Sequence, residues 1–559
     1  MKQIFDLLLN IDRKWRIIFI TIIPLSIIKS FFDVVGLGLI APFISSVVSP
    51  EVILENTYFI YINEYIGISS NSELVVFSSI FLVTFFIVKG IYSILVLDYI
   101  NYFIFHGKAE FNAVLMKKYL RAEWKFHQKN NSSYLDRNLR ISSSKAFSCL
   151  SYVLKSIVDA FFVIFSIALL IYAQGMLVIY AASIFIFLFF CWYKFSYPYL
   201  SNIGSMSIQA SGESAKIIRE NFDSIREIIT FDVASFFTKK FEQKERYVAS
   251  LAKRQALFGI LPTAFIEIIA ISLLAGTCLY LIISGEDLID FLPILGLFGL
   301  VIIRLLPILL NFIRSIQEIV FEFPAIDLIN NQIQELDNES LKQSENSNLV
   351  FSSLKLKNIA FSYGAKDIFS DLSIKIEHND SVGIMGPSGS GKTTALNIML
   401  GLLKPDSGEV LVNDSNLYSS LNSWRKQISF VPQEPVLFDD SIRENITFGQ
   451  KDISDHAVWE ALKLVKLFDL FQNYDKKIDS KIGERGNKLS GGQKQRLSLA
   501  RALVRNPKVI FLDEFTSALD KEVELRILQD LFAISDITII LISHSPTVID
   551  FCKEKVILG

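Results

Sequence analysis

The sequence predicts a multidomain chain: an all-α transmembrane domain of six helices, followed by an α/β domain built on a P-loop. Three observations predict it. Apolar residues make up 51% of the 559 positions and charged residues only 20%, with 47 phenylalanines. The mean hydropathy of +0.41 is far above that of a water-soluble enzyme. The apolar runs crowd between about residues 15 and 320, whereas the sequence from about 345 onward is mixed, charged and carries a GxxxxGK[ST] stretch starting at Gly386. This composition excludes intrinsic disorder and a purely soluble chain. The formal net charge of −2 lacks the basic excess that neutralising a phosphate backbone needs, so no nucleic-acid partner is expected. Cys149, Cys191, Cys278 and Cys552 lie far apart and form no CxxC pair, which signals neither a disulfide framework nor a zinc site.

Within residues 1–323, six runs are long enough to cross a bilayer core, at about 17–48, 74–105, 152–173, 176–195, 257–283 and 290–313. The first is too long for a cleaved signal peptide and lacks a small-residue cleavage site. The segments 49–73, 174–175 and 284–290 hold Glu51, Glu55, Glu64, Glu73, Glu286 and Asp287 but no Lys or Arg, whereas the N-terminus and the 106–150 loop are rich in both. The positive-inside rule then puts both termini in the cytoplasm of a multi-pass protein of the inner (plasma) membrane. Between Glu213 and Arg254, apolar residues recur at helical spacing (Ile217, Ile218, Phe222, Ile225, Ile228, Ile229), which predicts helices that continue into the cytoplasm. Residues 324–350 read as a linker: Pro324 is expected to stop the sixth helix, and Asn338 to Asn348 is polar.

Residues 351–559 form the second domain. Gly386-Pro387-Ser388-Gly389-Ser390-Gly391-Lys392-Thr393 follows the strand-like Ser381–Met385 and precedes a helix-like run from Thr394, the context a P-loop requires. Gly386, Gly389 and Gly391 let backbone N–H groups approach phosphates, with Ser388 and Thr394 flanking the cradle. Lys392 is expected to reach the β- and γ-phosphates and the Thr393 hydroxyl to hold Mg²⁺. Val509 to Glu514 reads as a buried strand ending in two carboxylates: Asp513 for Mg²⁺, and Glu514 to orient and polarise an attacking water as general base.

Leu489-Ser490-Gly491-Gly492-Gln493 places two glycines before a helix, again an anion-binding N-terminus. With this pentapeptide the chain resembles the ATP-binding cassette superfamily, exporter type, in which a membrane domain is fused to one cassette. The resemblance covers the whole second domain and implies ATP as the nucleotide and Mg²⁺ as its ion. Tyr363 matches the aromatic that stacks on adenine, Gln433 the Q-loop glutamine that senses Mg²⁺ and the γ-phosphate, Asp520 the D-loop aspartate, and His544, after the strand-like Thr538–Ile542, the switch histidine. Ser490, Gly491, Gly492 and Gln493 are implied to cover ATP held by another copy's P-loop, so the expected assembly is a homodimer. Lys481 to Gly486 resembles the segment that couples cassettes to membrane loops. The sequence departs from the family at Phe515, where Ala is common and where the larger ring is expected to disturb packing beside the D-loop. It also ends at Gly559, just after the strand-like Lys555–Leu558, without the family's usual short extension.

Lys29, Asp33, Lys89, Glu267 and Arg304 lie within or near the apolar runs, where charge is costly. Lys29 and Asp33 are spaced to pair on one helix face, and Glu267 and Arg304 to bridge spans five and six. Alternatively Arg304, with Lys29 or Lys89, lines a cavity and meets an anionic cargo. The segments from Gly36 to Phe43, Leu261 to Glu267 and Arg304 to Pro307 resemble, less specifically, motifs of bacterial flippases for lipid-linked oligosaccharides. The resemblance therefore implies ATP-driven export or flipping of an amphipathic substrate, with a polyprenyl-diphosphate-linked oligosaccharide as the first expectation. Export of a peptide or hydrophobic small molecule is the alternative; no peptidase-like segment precedes span one, which weighs against leader processing. A non-transporting ATP-dependent regulator is a third reading, disfavoured by the intact Glu514 and His544.

Overall fold

The computed structural model describes residues 2–54, 57–68, 70–174, 176–284, 288–338, 350–364 and 366–558. The chain divides into two compact units, residues 1–122 with 126–340, and residues 341–559 with 123–125.

Among the described residues, the regular structure of the first unit is all helix. Its long elements are α1 (Arg13–Gly38), α2 (Asn71–Arg121), α3 (Ser143–Gln174), α4 (Met176–Asp223), α5 (Ala234–Ser284) and α6 (Leu288–Asn338). A helix of 51 residues such as α2 is about 75 Å long, more than twice the thickness of a hydrocarbon core. Predicted spans two to six are each the apolar part of a longer rod. By length and composition, Arg13–Val48, Asn71–Arg121 and Ser132–Leu169 can cross a membrane. The other three predicted spans contain many side chains outside the described residues. Span one is not a single rod: α1 ends at Gly38, and a separate helix runs from Ile40 to Val48. Pro42 sits in the first turn of that second helix, where its missing N–H costs no helical bond.

Pro324 does not stop the sixth helix, as α6 continues to Asn338. A mid-helix proline costs about 3 kcal/mol through a lost hydrogen bond and a clash with the carbonyl four residues back. The turns beyond it bury Ile326, Ile329, Ile333 and Leu336 in a core with Leu7, Ile11, Trp15, Phe103 and Phe147. Burying several such side chains at roughly 1.5–3 kcal/mol each outweighs the proline. The expected linker therefore begins no earlier than residue 339, and residues 339–349 lie outside the described residues.

The described residues of the second unit form two sheets. One is antiparallel, in the order β2 (Lys366–Glu377), β1 (Ser353–Tyr363), β4 (Ser407–Val412), β5 (Ser415–Asn416). The other is parallel, in the order β6 (Ile428–Val431), β7 (Val509–Asp513), β8 (Thr538–Ile542), β3 (Ser381–Met385), β9 (Glu554–Ile557). The inner parallel strands β3, β7 and β8 are buried on both faces, as their continuous apolar runs dictate, whereas the edge strand β9 is largely exposed. Alternate residues separate the two faces: Val509, Phe511, Ile540 and Ile542 join one core with Leu396 of α7 (Lys392–Met399). Ile510, Leu512, Ile539 and Leu541 join the other with Leu497 and Leu499 of α8 (Gly491–Leu503). Phe515 is 1% exposed and belongs to that second core, so the expected disturbance beside the D-loop gives way to a filled position.

Candidate functional site

Four adjacent strands deliver the site. Gln433 lies two residues beyond β6, Glu514 one beyond β7, His544 two beyond β8 and Gly386 one beyond β3. Because these strands are parallel and neighbours, their carboxyl ends form one edge, the place where open α/β sheets collect ligands.

At the centre, Glu514 accepts from Gln433 Nε2 at 2.9 Å and meets His544 Nε2 with its other oxygen at 3.1 Å. Its backbone N–H donates to Ile542 O at 3.0 Å, and its φ is 44°. A glutamate in the left-handed region is uncommon and costs about 1 kcal/mol or more. That turn lifts the side chain out of the strand line, away from Asp513, which stays in the sheet and is 8% exposed. Burial pushes the Asp513 carboxyl up to about 6, the neighbouring Glu514 adds to the rise, and Lys392 opposes it.

In the P-loop, Lys392 is buried and donates to Gly386 O and Pro387 O, each at 2.9 Å. Gly391 caps α7 with a φ of 92°, and a Cβ there would stand 2.6 Å from Ile368 and Phe369 of β2. Only glycine fits on both counts. Gly389 and Ser388 are exposed, as is Thr393 on the first turn of α7, whereas Thr394 is buried. Ser390 Oγ, which sequence reasoning passed over, is buried without a hydrogen-bond partner. A buried hydroxyl with no partner, inside a ring of backbone donors at a helix N-terminus, suits the oxygens of a phosphate.

A hard divalent cation needs oxygen donors, and the Thr393 hydroxyl, the Gln433 amide and the Asp513 carboxylate supply them. Among the described residues no group of three or more His, Cys, Asp or Glu gathers. The donors present fit Mg²⁺, which keeps much of its shell as water and phosphate oxygen, better than a metal wanting a protein-built cage.

The signature turn is placed elsewhere. Ser490 caps α8, and its hydroxyl and the Gln493 side chain exchange hydrogen bonds with each other's backbone in a capping box. A Cβ on Gly492 would stand 2.6 Å from Ala518 O, so the glycine lets α8 touch the loop before Asp520. The contacts of Gly491 and Gly492 are thus with Ala518 and Leu519 rather than with the P-loop of the same chain. Asp520 is exposed and begins the helix Lys521–Phe532, while Tyr363 is 43% exposed with its ring edge-on to Phe361. Lys481 pairs with Ser441 in an isolated bridge, and the turn through Gly486 rests on Leu437.

One residue that the motifs did not single out joins these loops. Gln495 is buried, its Nε2 donates to Ser517 Oγ at 2.9 Å and to Gln433 O at 3.3 Å, and its Oε1 accepts from Ala518 N at 3.0 Å. Its sequence signal is a polar side chain on the same helix face as Leu499 and Ala502, both buried. A cleft of about 320 Å³ bounded by Gln433, Pro435, Lys494, Gln495 and Ser517 opens beside it.

The comparisons agree with this geometry. Residues 369–517 match the ABC transporter family. An export ATP-binding/permease protein of Rickettsia typhi is 31% identical over 346 residues, 59% of this chain and 58% of that one. A multidrug resistance ABC transporter ATP-binding and permease protein of Lactococcus lactis is 28% identical over 345 residues, 60% of this chain and 58% of that one. The matched stretch spans less than two thirds of either relative. A solved bacterial Atm1-family ABC exporter with ATP bound superposes with a TM-score of 0.78 at 19% identity, covering 98% of this chain and 93% of that one. Residues 369–517 therefore resemble the ABC transporter family, and the chain shares the fold of the Atm1-family exporter.

Proposed function

We propose that the protein is an ATP-driven exporter or flippase and that Glu514 is the catalytic base of its ATPase. The observation that carries this reading is the position of Glu514: outside the strand, held on one oxygen by Gln433 and facing His544 with the other. A carboxylate so held can orient a water and take its proton, and His544 beside it is the candidate contact for a γ-phosphate. The P-loop of Gly386, Ser388, Gly389, Gly391, Lys392, Thr393 and Thr394 binds the phosphates, and Tyr363 receives the adenine. Mg²⁺, held by Thr393, Asp513 and Gln433, would supply charge neutralisation at the β- and γ-phosphates.

The signature residues Ser490, Gly491, Gly492 and Gln493, with Asp520, serve the site of a second copy, a reading supported by Gly491 and Gly492 lying against Ala518 and Leu519 in this chain. The assembly is a homodimer in the inner (plasma) membrane with both termini and cassettes cytoplasmic. The cargo is amphipathic, and a polyprenyl-diphosphate-linked oligosaccharide is the preferred candidate. The names of the relatives, which speak of export and of multidrug resistance, keep a hydrophobic small molecule or a peptide as the alternative. A purely regulatory ATP switch fits less well, because both Glu514 and His544 are present and in contact.

The Arg304 side chain lies outside the described residues, so a bridge to Glu267, itself exposed, stays a sequence expectation. Purified protein in proteoliposomes tests the function directly. ATP-dependent movement of a fluorescent lipid-linked saccharide, lost in Glu514→Gln, supports the flippase. Movement of small hydrophobic dyes alone moves the reading to drug export. Steady ATPase with no movement of any probe supports the regulator.

A further inference from the structure

The membrane half holds an ion cluster that the cassette chemistry does not use. Lys29 and Asp33 are one turn apart on α1, and Lys89 lies in the apolar stretch of α2. Lys29 Nζ donates to Asp33 Oδ2 at 2.9 Å, and Lys89 Nζ reaches Asp33 Oδ1 at 2.8 Å. The two lysine side chains are 14% and 15% exposed and Asp33 is 19% exposed, so the group is sheltered without being sealed. One carboxylate therefore serves two ammonium groups.

The surroundings are aromatic and tight. Phe32 stands edge-on to Phe85 and Tyr92, Lys89 Nζ lies 5.1 Å from the Phe86 ring centre, and Tyr92 donates to Leu25 O at 3.1 Å. Gly36 lies against this group: a Cβ there would stand 3.3 Å from the Phe85 ring and 3.6 Å from Lys89 Nζ. On α3, Asp159 lies within electrostatic reach of Lys29 and of the exposed Lys155, and Ser30 Oγ donates to Val158 O at 2.7 Å to hold α3 against α1. Among the described residues, these groups amount to Lys29, Lys89 and Lys155 against Asp33 and Asp159.

A clamp between α1 and α2 requires one lysine and one aspartate, and such a pair is neutral. A second lysine at membrane depth adds desolvation cost, and with Asp159 and Lys155 counted the group still carries one positive charge over, which the apolar setting disfavours. Ammonium groups keep donors free after one bond to a carboxylate, and those donors suit acid oxygens. We infer that the Lys29–Asp33–Lys89 triad binds the singly charged acidic head, phosphodiester or carboxylate, of an amphipathic molecule. One such anion makes the group neutral. That the bound amphiphile is also the cargo rests on the transport reading above; the binding site itself does not.

The test is competition by native mass spectrometry on the full-length protein, with equimolar phosphatidylglycerol and phosphatidylcholine of the same chains. The wild type is expected to retain phosphatidylglycerol over phosphatidylcholine by about tenfold, the worth of one charge-assisted hydrogen bond. Lys89→Gln, which leaves the neutral Lys29–Asp33 pair in place, is expected to bring the ratio close to parity. Asp33→Asn, which frees both ammonium groups, is expected to raise it. Parity in the wild type, or a ratio unchanged in Lys89→Gln, overturns the site. Loss of the preference on adding inorganic phosphate assigns the triad to a free anion and overturns the lipid head as ligand. ATP-driven movement of a fluorescent phosphatidylglycerol in phosphatidylcholine vesicles is followed separately. Retained binding without movement overturns the cargo role and leaves the site standing.

Discussion

Gln433 Nε2 donates to Glu514 Oε2 at 2.9 Å, so the loop after β6 and the turn after β7 meet on one carboxylate. His544, after β8, approaches the other oxygen at 3.1 Å. Three loops from three adjacent strands thus control the orientation of a single side chain, and a shift in any of them moves the proposed base.

Glu514→Gln is expected to bind ATP as the wild type does and to lose hydrolysis by on the order of 10²–10⁴-fold. The amide keeps the shape and cannot take the proton. Lys392→Ala is expected to weaken nucleotide binding itself, because Lys392 also ties the P-loop through Gly386 O and Pro387 O. Nucleotide binding by fluorescence and phosphate release on the same preparations separate the two. Wild-type turnover in Glu514→Gln would remove it from the role of base.

Gln495 is a positioning residue in this scheme, since it acts on Gln433 and on the Ser517–Ala518 turn. Gln495→Ala is expected to lower kcat by about tenfold with little change in KM for ATP. Gln495→Glu keeps the acceptor for Ala518 N but loses both donated bonds, so its kcat should fall between the two. A residue important only for folding would lower the yield of active protein and leave kcat per folded site unchanged.

Asp513 gives a pH-dependent stability. Its carboxyl sits at about 6 in the folded chain, above the ordinary value, chiefly through burial. The folded state therefore holds that proton more tightly than the unfolded state, and stability falls as pH rises between the ordinary carboxylate value and the folded one. Above that window, ionised Asp513 costs on the order of 2 kcal/mol. Asp513→Asn is expected to raise the thermal midpoint of nucleotide-free protein at pH 7.5 and to lose this advantage near pH 4, while hydrolysis is abolished at both. An advantage that grows on acidification would contradict the assignment.

Phe515→Ala is expected to destabilise the second unit by about 3–5 kcal/mol, because the ring fills the core shared by the parallel sheet and α8. Differential scanning calorimetry should show the loss. A change below 1 kcal/mol would mean that the site collapses around the smaller side chain.

The proposed homodimer, with each signature covering the other copy's P-loop, predicts that specific ATPase activity falls on dilution below the dimer's dissociation constant. Mixing Lys392→Ala with Ser490→Arg chains should restore one working site per mixed dimer. Full activity in a concentration-independent monomer would rule the homodimer out.

The sequence by itself determined the two-part architecture. Composition and apolar run lengths separate a membrane half from a globular half, and the glycines at 386, 389 and 391 fix a phosphate loop because few other residues tolerate that backbone. The strands Ser381–Met385 and Thr538–Ile542 were legible to the residue, since apolar runs that short and that uniform are buried on both faces. Tertiary structure decided the rest. Pro324 is a helix breaker by local rules, yet the burial of Ile326, Ile329 and Ile333 carries α6 past it, because packing energy summed over several side chains exceeds one broken turn. The partners of Gln495 and the pairing of Lys89 with Asp33 were not legible locally, as they depend on residues tens of positions away. Local sequence encodes backbone preference and periodicity; which polar groups meet in a core is decided only when the elements pack.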